Sequence, residues 1–490
     1  LPGETVEAGI WYRHKNVTDN GFYVSSGYVF TDSPPEGARK WMPCWDRPSD
    51  KATWELHARV PVNVRLVSAG ILADSTVSGD TLTYHWVSTD PMATYLVPIS
   101  ASVYFRIHTK YWKKLSDPTD SIPVLIYHRD SENLAGIDST ILPMTDFYSQ
   151  KFGDYPFEKI GFATLNGSFP WGGMENQTMV NLMPGGYSDV NLVAHEHSHQ
   201  WFGDLVTCGT WADIWLNEGF ATYCQNLWVE ASKGYEAYKN SMITVANYYL
   251  SHNPGWPLYH PEWAVTTPNP NTLYNTAVTY NKGAAVLYQL RYVLGDSLFF
   301  RVLKEYVTDV RLQFGNAVTA DFVETAGRVS GQDLSWFFDN WVYSPNHPVY
   351  QNTYEIDTLG LTEWKVSVIL GQTQTSPEFF PMPVELKVSF ADNSDTLLRV
   401  RHESNNQIFG FHFARQPVKV IFDPDRRILL KKETTVYGIR TQESISGYSL
   451  FHEGPNPFRN STTLGYVVAK EGKVLITVTD ATGAVASPLR

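Results

Sequence analysis

The chain has 490 residues, of which 43% are hydrophobic and 14% aromatic, enough for more than one packed core. A formal net charge of −12 argues against nucleic acid as the main partner. No apolar run reaches the ~18 residues of a membrane span, and three cysteines (Cys44, Cys208 and Cys224) are too few for a disulfide framework. These cysteines are expected to be buried and reduced, behaving as small hydrophobes.

In chain order, the sequence opens Leu1-Pro2-Gly3 with no methionine or signal segment, so it is expected to be processed or truncated at the front. Residues 1–113 read as an incomplete β-domain. Residues 52–60 and 81–87 alternate β-branched and aromatic positions, and a Gly79-Asp80 turn precedes the second run. Residues 114–345 begin with strands and become mainly helical. An apolar lead-in at 190–194, with Ser188 or Asp189 as N-cap, predicts one helix. Residues 211–223 predict a second and residues 284–291 a third. Residues 346–435 return to strands, notably 365–370 and 384–390, and predict a small sandwich. Residues 436–490 predict a further β-module, with strands at 464–468 and 473–479.

The chemistry concentrates in His195-Glu196-His197-Ser198-His199, followed nineteen residues later by Glu218. Positions i and i+4 share a helix face, so His195 and His199 can aim at one point. Two imidazoles and a carboxylate with an open fourth position suit a catalytic zinc ion. Glu196 can then serve as general base on an activated water. His197 points to another face and reads as a surface or packing histidine.

The chain resembles the M1 gluzincin aminopeptidases, the group of aminopeptidase N and leukotriene A4 hydrolase. The resemblance rests on the HEHSHQWFGDLVT and WLNEGFATY stretches, on Gly172-Gly173-Met174-Glu175-Asn176, and on Tyr280-Asn281-Lys282-Gly283-Ala284. An N-domain signature at 38–48 and a segment at 336–342 complete it, in the right order between residues ~25 and ~430. It implies a multidomain α+β fold: an N-terminal β-domain, a thermolysin-like mainly α catalytic domain, a β-sandwich and a C-terminal β-module. It implies one zinc ion per chain on His195, His199 and Glu218, with Glu196 as base and Tyr280 as the oxyanion donor. It also implies peptide substrates held by Gly172, Gly173, Met174, Glu175 and Asn176, with Glu175 facing the free α-ammonium. An endopeptidase or other amide hydrolase on the same centre is the alternative, and a non-catalytic binding protein on a peptidase scaffold a more distant one.

Phe169 and Trp171 would either wall the first side-chain pocket or pack in the core. Asp213 or Asn217 could orient a ligand. The sequon at Asn176-Gln177-Thr178 reads as coincidental. The last stretch, around Asn456-Pro457-Phe458 and a turn at 479–483, resembles the sorting modules of secreted Bacteroidetes-like proteins, stopping short of their usual end. It implies a secreted or cell-surface bacterial protein that meets a secretion machinery.

Three departures from the family pattern carry expectations. The Gln-x-Gln or Gln-x-Glu pair that helps bind the substrate amine is replaced by Asp32 and Pro34, leaving Asp32 or Glu36 to compensate. Gly173 stands where many aminopeptidases carry alanine. The large C-terminal helical domain is missing, so a more open cleft is expected.

Overall fold

A computed structural model describes residues 7–13, 21–169 and 171–438, and four short strands between 449 and 488. The chain divides into two units: Leu1–Asn346 with Ile428–Leu430, and His347–Arg427 with Lys431–Arg490.

The first unit opens with two antiparallel sheets. One orders Phe22–Ser25, Tyr28–Thr31, Ile99–Ser102 and Arg65–Ser68; the other places Thr81–Ala93 between Lys51–Pro61 and Ile71–Ser78. Alternating apolar residues feed a core that includes Phe30, Val67, Trp86, Tyr95 and Leu96. A five-stranded sheet follows, in the order Gly173–Met174, Val180–Leu182, Ile160–Thr164, Ser121–His128 and Arg106–Lys113. Arg106–Lys113 and Ser121–His128 form one antiparallel hairpin. The domain boundary expected between 113 and 114 therefore falls inside a hairpin, because the strand before the turn pairs forward rather than with the N-terminal sheets. The strand Gly173–Met174 pairs on one side only and is a sheet edge.

The helices that follow position the chemistry. Asp189 caps the helix Val190–Ser198, its carboxylate accepting from the amides of Asn191 and Leu192 at 3.1 Å. The helix predicted from 211 is split: a 3-10 turn at Trp211–Asp213 precedes the α-helix Trp215–Lys233. A π-helical stretch, Thr276–Lys282, runs directly into the helix Gly283–Leu294. No described helix is long and apolar enough to cross a membrane.

The second unit has a four-stranded sheet, Gln407–Phe413, Glu363–Leu370, Val349–Gly360 and Lys432–Tyr437. It also has a three-stranded sheet, Asp395–His402, Met382–Phe390 and Pro417–Phe422. Ring contacts join them as a sandwich: Tyr350 to Phe422 at 4.7 Å and Phe390 to Phe413 at 5.1 Å. Beyond it, Ser449–Glu453 pairs with Thr463–Val467, and Thr477–Thr479 with Val485–Pro488. The Asn456-Pro457-Phe458 core and residues 480–483 of the expected turn lie outside the described residues.

Candidate active site

The helix Val190–Ser198 and its C-cap residue His199 present two imidazoles to the first turn of Trp215–Lys233, which carries Glu218. His195 Nε2 and His199 Nε2 are 3.2 Å apart, and each lies 3.4 Å from Glu218 Oε2. Three donors about 2.05 Å from a tetrahedral ion stand about 3.3–3.4 Å from one another, so this triangle fits zinc. His199 Nδ1 donates to the carbonyl of Phe202 at 3.0 Å, which turns Nε2 toward the ion position. Burial opposes the charge on both Glu218 and His199, but their attraction outweighs it. Glu218 falls to about 2, and His199, facing Glu175 and Glu218, rises to about 10.

Glu196 is buried with its carboxyl beside Glu175 and His199, all three donor groups lying within 4.8 Å of one another. Burial raises Glu196 well above the usual carboxylate range; His199 pulls it back, and Glu175 and Glu218 push it further up. In the ion-free site burial likewise lifts Glu175 to about 7. A Cβ on Gly173 would stand 2.3 Å from Glu196 Oε1. The second glycine of the motif thus leaves room for the base as well as for a substrate backbone.

Tyr280 lies in the π-helical stretch, its ring stacked on His195 at 6.0 Å. Such stretches are frequent at functional sites because the extra residue re-aims a side chain. Burial and Glu218 hold its phenol well above the ordinary value, so it keeps its proton and can donate. Lys282, two residues on, is fully buried and donates to the carbonyl of Ser344 at 3.0 Å. It anchors the segment.

Several residues have other work than expected. Asp213 accepts from the amide and hydroxyl of Thr319, both at 2.8 Å, and ties off that loop. Asn217 joins the amide of Cys208 to the phenol of Tyr95. The contact that turns a histidine toward the ion position comes instead from the Phe202 carbonyl. Asn176 is buried, bonded to the Leu96 carbonyl and to Asn181, so its side chain holds the strand rather than facing the cleft. Met174 is also a core residue. His197 is fully buried, its Nε2 2.9 Å from the Thr145 hydroxyl and its ring stacked on Tyr155. It is a packing residue, not a surface one. Phe169 packs edge-on against Phe30 in the core, whereas Trp171 is about half exposed and donates to Asp32 Oδ2 at 3.0 Å.

Gln200 gives no signal in the sequence beyond adjoining His199. Its Nε2 donates to the Glu175 carbonyl and its Oε1 accepts from the Thr178 amide, linking the histidine segment to the substrate strand. Glu36 bridges Arg39 at 3.1 Å and Arg47 at 2.9 Å. Asp32 meets no such cation among the described residues; burial raises it to about 6, and the Trp171 indole donates to it. All three cysteines are free.

Two family models match: the peptidase family M1 domain over residues 139–341 and the peptidase M1 N-terminal domain over residues 9–96. An aminopeptidase N of Lactococcus lactis is 28% identical over 389 residues, covering 75% of this chain and 44% of its own length. A glutamyl aminopeptidase of Sus scrofa is 27% identical over 67% of this chain and 36% of its own. The chain thus spans less than half the length of these curated relatives. A mutant M1 zinc metallopeptidase from Deinococcus radiodurans, bound to a Tyr-Ser-Ala substrate, superposes with a TM-score of 0.57 at 27% identity. That match covers 66% of this chain and 71% of the other. Legionella pneumophila aminopeptidase A shares the fold with a TM-score of 0.70 at 18% identity, over 85% of this chain and 48% of its own.

Proposed function

The chain belongs to peptidase family M1, and from that premise we propose that it is a zinc aminopeptidase that removes N-terminal residues from peptides. His195, His199 and Glu218 hold the ion. When bound there, zinc supplies a Lewis acid that activates water and polarises a peptide carbonyl. Glu196 takes a proton from the attacking water and returns it to the leaving amine, work suited to a buried carboxyl with a raised pKa. Tyr280, still protonated, donates to the carbonyl oxygen as charge develops on it. The edge strand Gly173–Met174 offers one unpaired side to an extended peptide backbone. Glu175 accepts the α-ammonium, with Asp32 as a second carboxyl for the same cation.

The observation that carries this reading is the placing of Glu175 within 4.8 Å of Glu196 and His199. In an amino acid the nitrogen and the carbonyl carbon are about 2.5 Å apart. An anion this close to the reacting centre suits an amine on the same residue as the scissile carbonyl. Matched peptides with free and acetylated N-termini test it, with wild type and Glu175→Ala. Cleavage of the free peptide alone, lost in the variant, is expected. Equal cleavage of the acetylated peptide would favour an endopeptidase.

We also propose that residues 436–490 form a separate sorting module that delivers the protein to the cell surface or medium of a bacterium. The support is the sequence around Asn456-Pro457-Phe458. Unchanged export of a chain ending at residue 435 would sink this proposal.

A further inference from the structure

The three-stranded sheet carries a second cluster of metal-ligating groups, sharing no residue with the first. The register sets His57 of Lys51–Pro61 opposite His85 of the central strand, and Asp74 of Ile71–Ser78 opposite His85 on the other side. Glu55, two residues before His57, lies on the same face by the period of a strand. The imidazoles of His57 and His85 stack at 4.0 Å and 15°. Their Nε2 atoms converge on one oxygen, Glu55 Oε1, at 3.1 and 2.8 Å. Behind His85, Nδ1 meets Asp74 Oδ2 at 3.1 Å.

We propose that this face is a second divalent-metal site, for zinc or copper(II), with His57 Nε2, His85 Nε2 and Glu55 as ligands. Two imidazoles and a carboxylate are the donor set such ions prefer. The donor atoms of Glu55, His57 and His85 lie within 4.8 Å of one another. Asp74 completes the arrangement in which a carboxylate holds the far nitrogen of a ligating histidine and fixes its tautomer. The strands preorganise the site, since the donors sit on paired backbone rather than on loops. The rings stack at 4.0 Å and 15° with their nitrogen lone pairs side by side, so coordination of one ion requires the exposed His57 ring to turn toward His85 Nε2.

The site is open. Glu55, His57 and Asp74 are each about 60% exposed or more, so solvent fills the remaining coordination positions. Exposed donors hold an ion less firmly than buried ones, so binding is weaker than at the buried His195, His199 and Glu218 centre.

The test is a calorimetric titration of the tag-free, metal-stripped full chain with zinc at mildly alkaline pH. Wild type is expected to take up two equivalents, the second more weakly. His57→Ala with His85→Ala, both away from the catalytic groups, should lose the second equivalent and keep the first together with peptidase activity. Titration with copper(II) gives an independent readout on the unaltered chain: the second equivalent adds a further paramagnetic resonance signal with coupling to two nitrogens, whereas the double variant shows the signal of the first equivalent alone. A single equivalent in wild type at millimolar zinc would overturn the proposal, as would persistence of the second equivalent, or of its added two-nitrogen signal, in the double variant.

Discussion

Gly219 and Gly283 face each other across two helices: a Cβ on Gly219 would stand 2.9 Å from the Gly283 Cα, and one on Gly283 would stand 2.8 Å from the Gly219 Cα. These glycines directly follow the metal ligand Glu218 and the anchor Lys282. Only bare backbone lets Trp215–Lys233 and the Tyr280 segment approach this closely, in an arrangement that sets the Tyr280 ring beside His195.

Gly219→Ala should therefore separate the two segments. Overpacking of a tight core contact costs about 1–3 kcal/mol. The expected outcome is a lowered Tm together with a loss of kcat, since Tyr280 and Glu218 move apart. An unchanged kcat with a lowered Tm would show that the contact supports the fold but not the chemistry.

Gly173→Ala should act differently. The added methyl would meet the end of the Glu196 side chain, 2.3 Å from Oε1 in its present position. That side chain can shift to make room, as it must wherever an aminopeptidase carries alanine here, so the fold and the base should both survive. A fall in kcat of no more than a few-fold is expected, below the full contribution of a positioned general base, with little change in Tm. Steady-state kinetics beside a thermal melt checks this.

Metal uptake should release a proton. In the ion-free site His199 is raised to about 10, burial opposing its charge and Glu175 and Glu218 overcoming that. Its Nε2 thus carries a proton at neutral pH, while zinc requires the neutral ring. Calorimetry at neutral pH in buffers of differing ionisation enthalpy should report at least one proton released per ion bound at this centre, His199 giving one and the raised carboxyls of Glu196 and Glu175 adding to it. Uptake with no proton released would contradict a protonated His199 in the ion-free site.

Acid should weaken the sandwich through His402. It is fully buried, with Nε2 donating to the Leu370 carbonyl at 3.0 Å, and burial lowers its pKa from 6.5 to about 4. A depressed pKa means the folded state holds the proton less tightly than the unfolded chain. The associated stability is present above pH 6.5 and is lost as pH falls through about 4. The loss amounts to about 3 kcal/mol. Chemical denaturation across this range should show the slope in wild type and a reduced slope in His402→Gln, which keeps a donor for Leu370.

Much of the active site was legible in the chain because its parts are local. His195, Glu196 and His199 lie within two helical turns, and the period of the helix alone brings the two ligands to one face. The Asp189 cap and the strand alternation at 51–61 and 382–390 belong to the same class. The residues that proved to have other work, Asn176, Asp213 and Asn217, lie close to the motifs and look like site residues in one dimension. Their partners are distant: Asp213 meets Thr319, Asn217 meets Tyr95 and Asn176 meets Leu96.

By itself the sequence determined the reaction centre: which two imidazoles share a face, which carboxylate lies between them, and where the family motifs stand. Only the tertiary structure decided that Arg39 and Arg47 occupy Glu36, which is why Asp32 is the carboxyl proposed for the substrate amine. It likewise decided that Gly219 must stay bare against Gly283, and that Glu55, His57, Asp74 and His85 meet on one sheet face. The physical reason is separation along the chain. Helical period acts over a few residues, whereas strand register and helix contact join residues tens to hundreds of positions apart, and no local pattern carries that pairing.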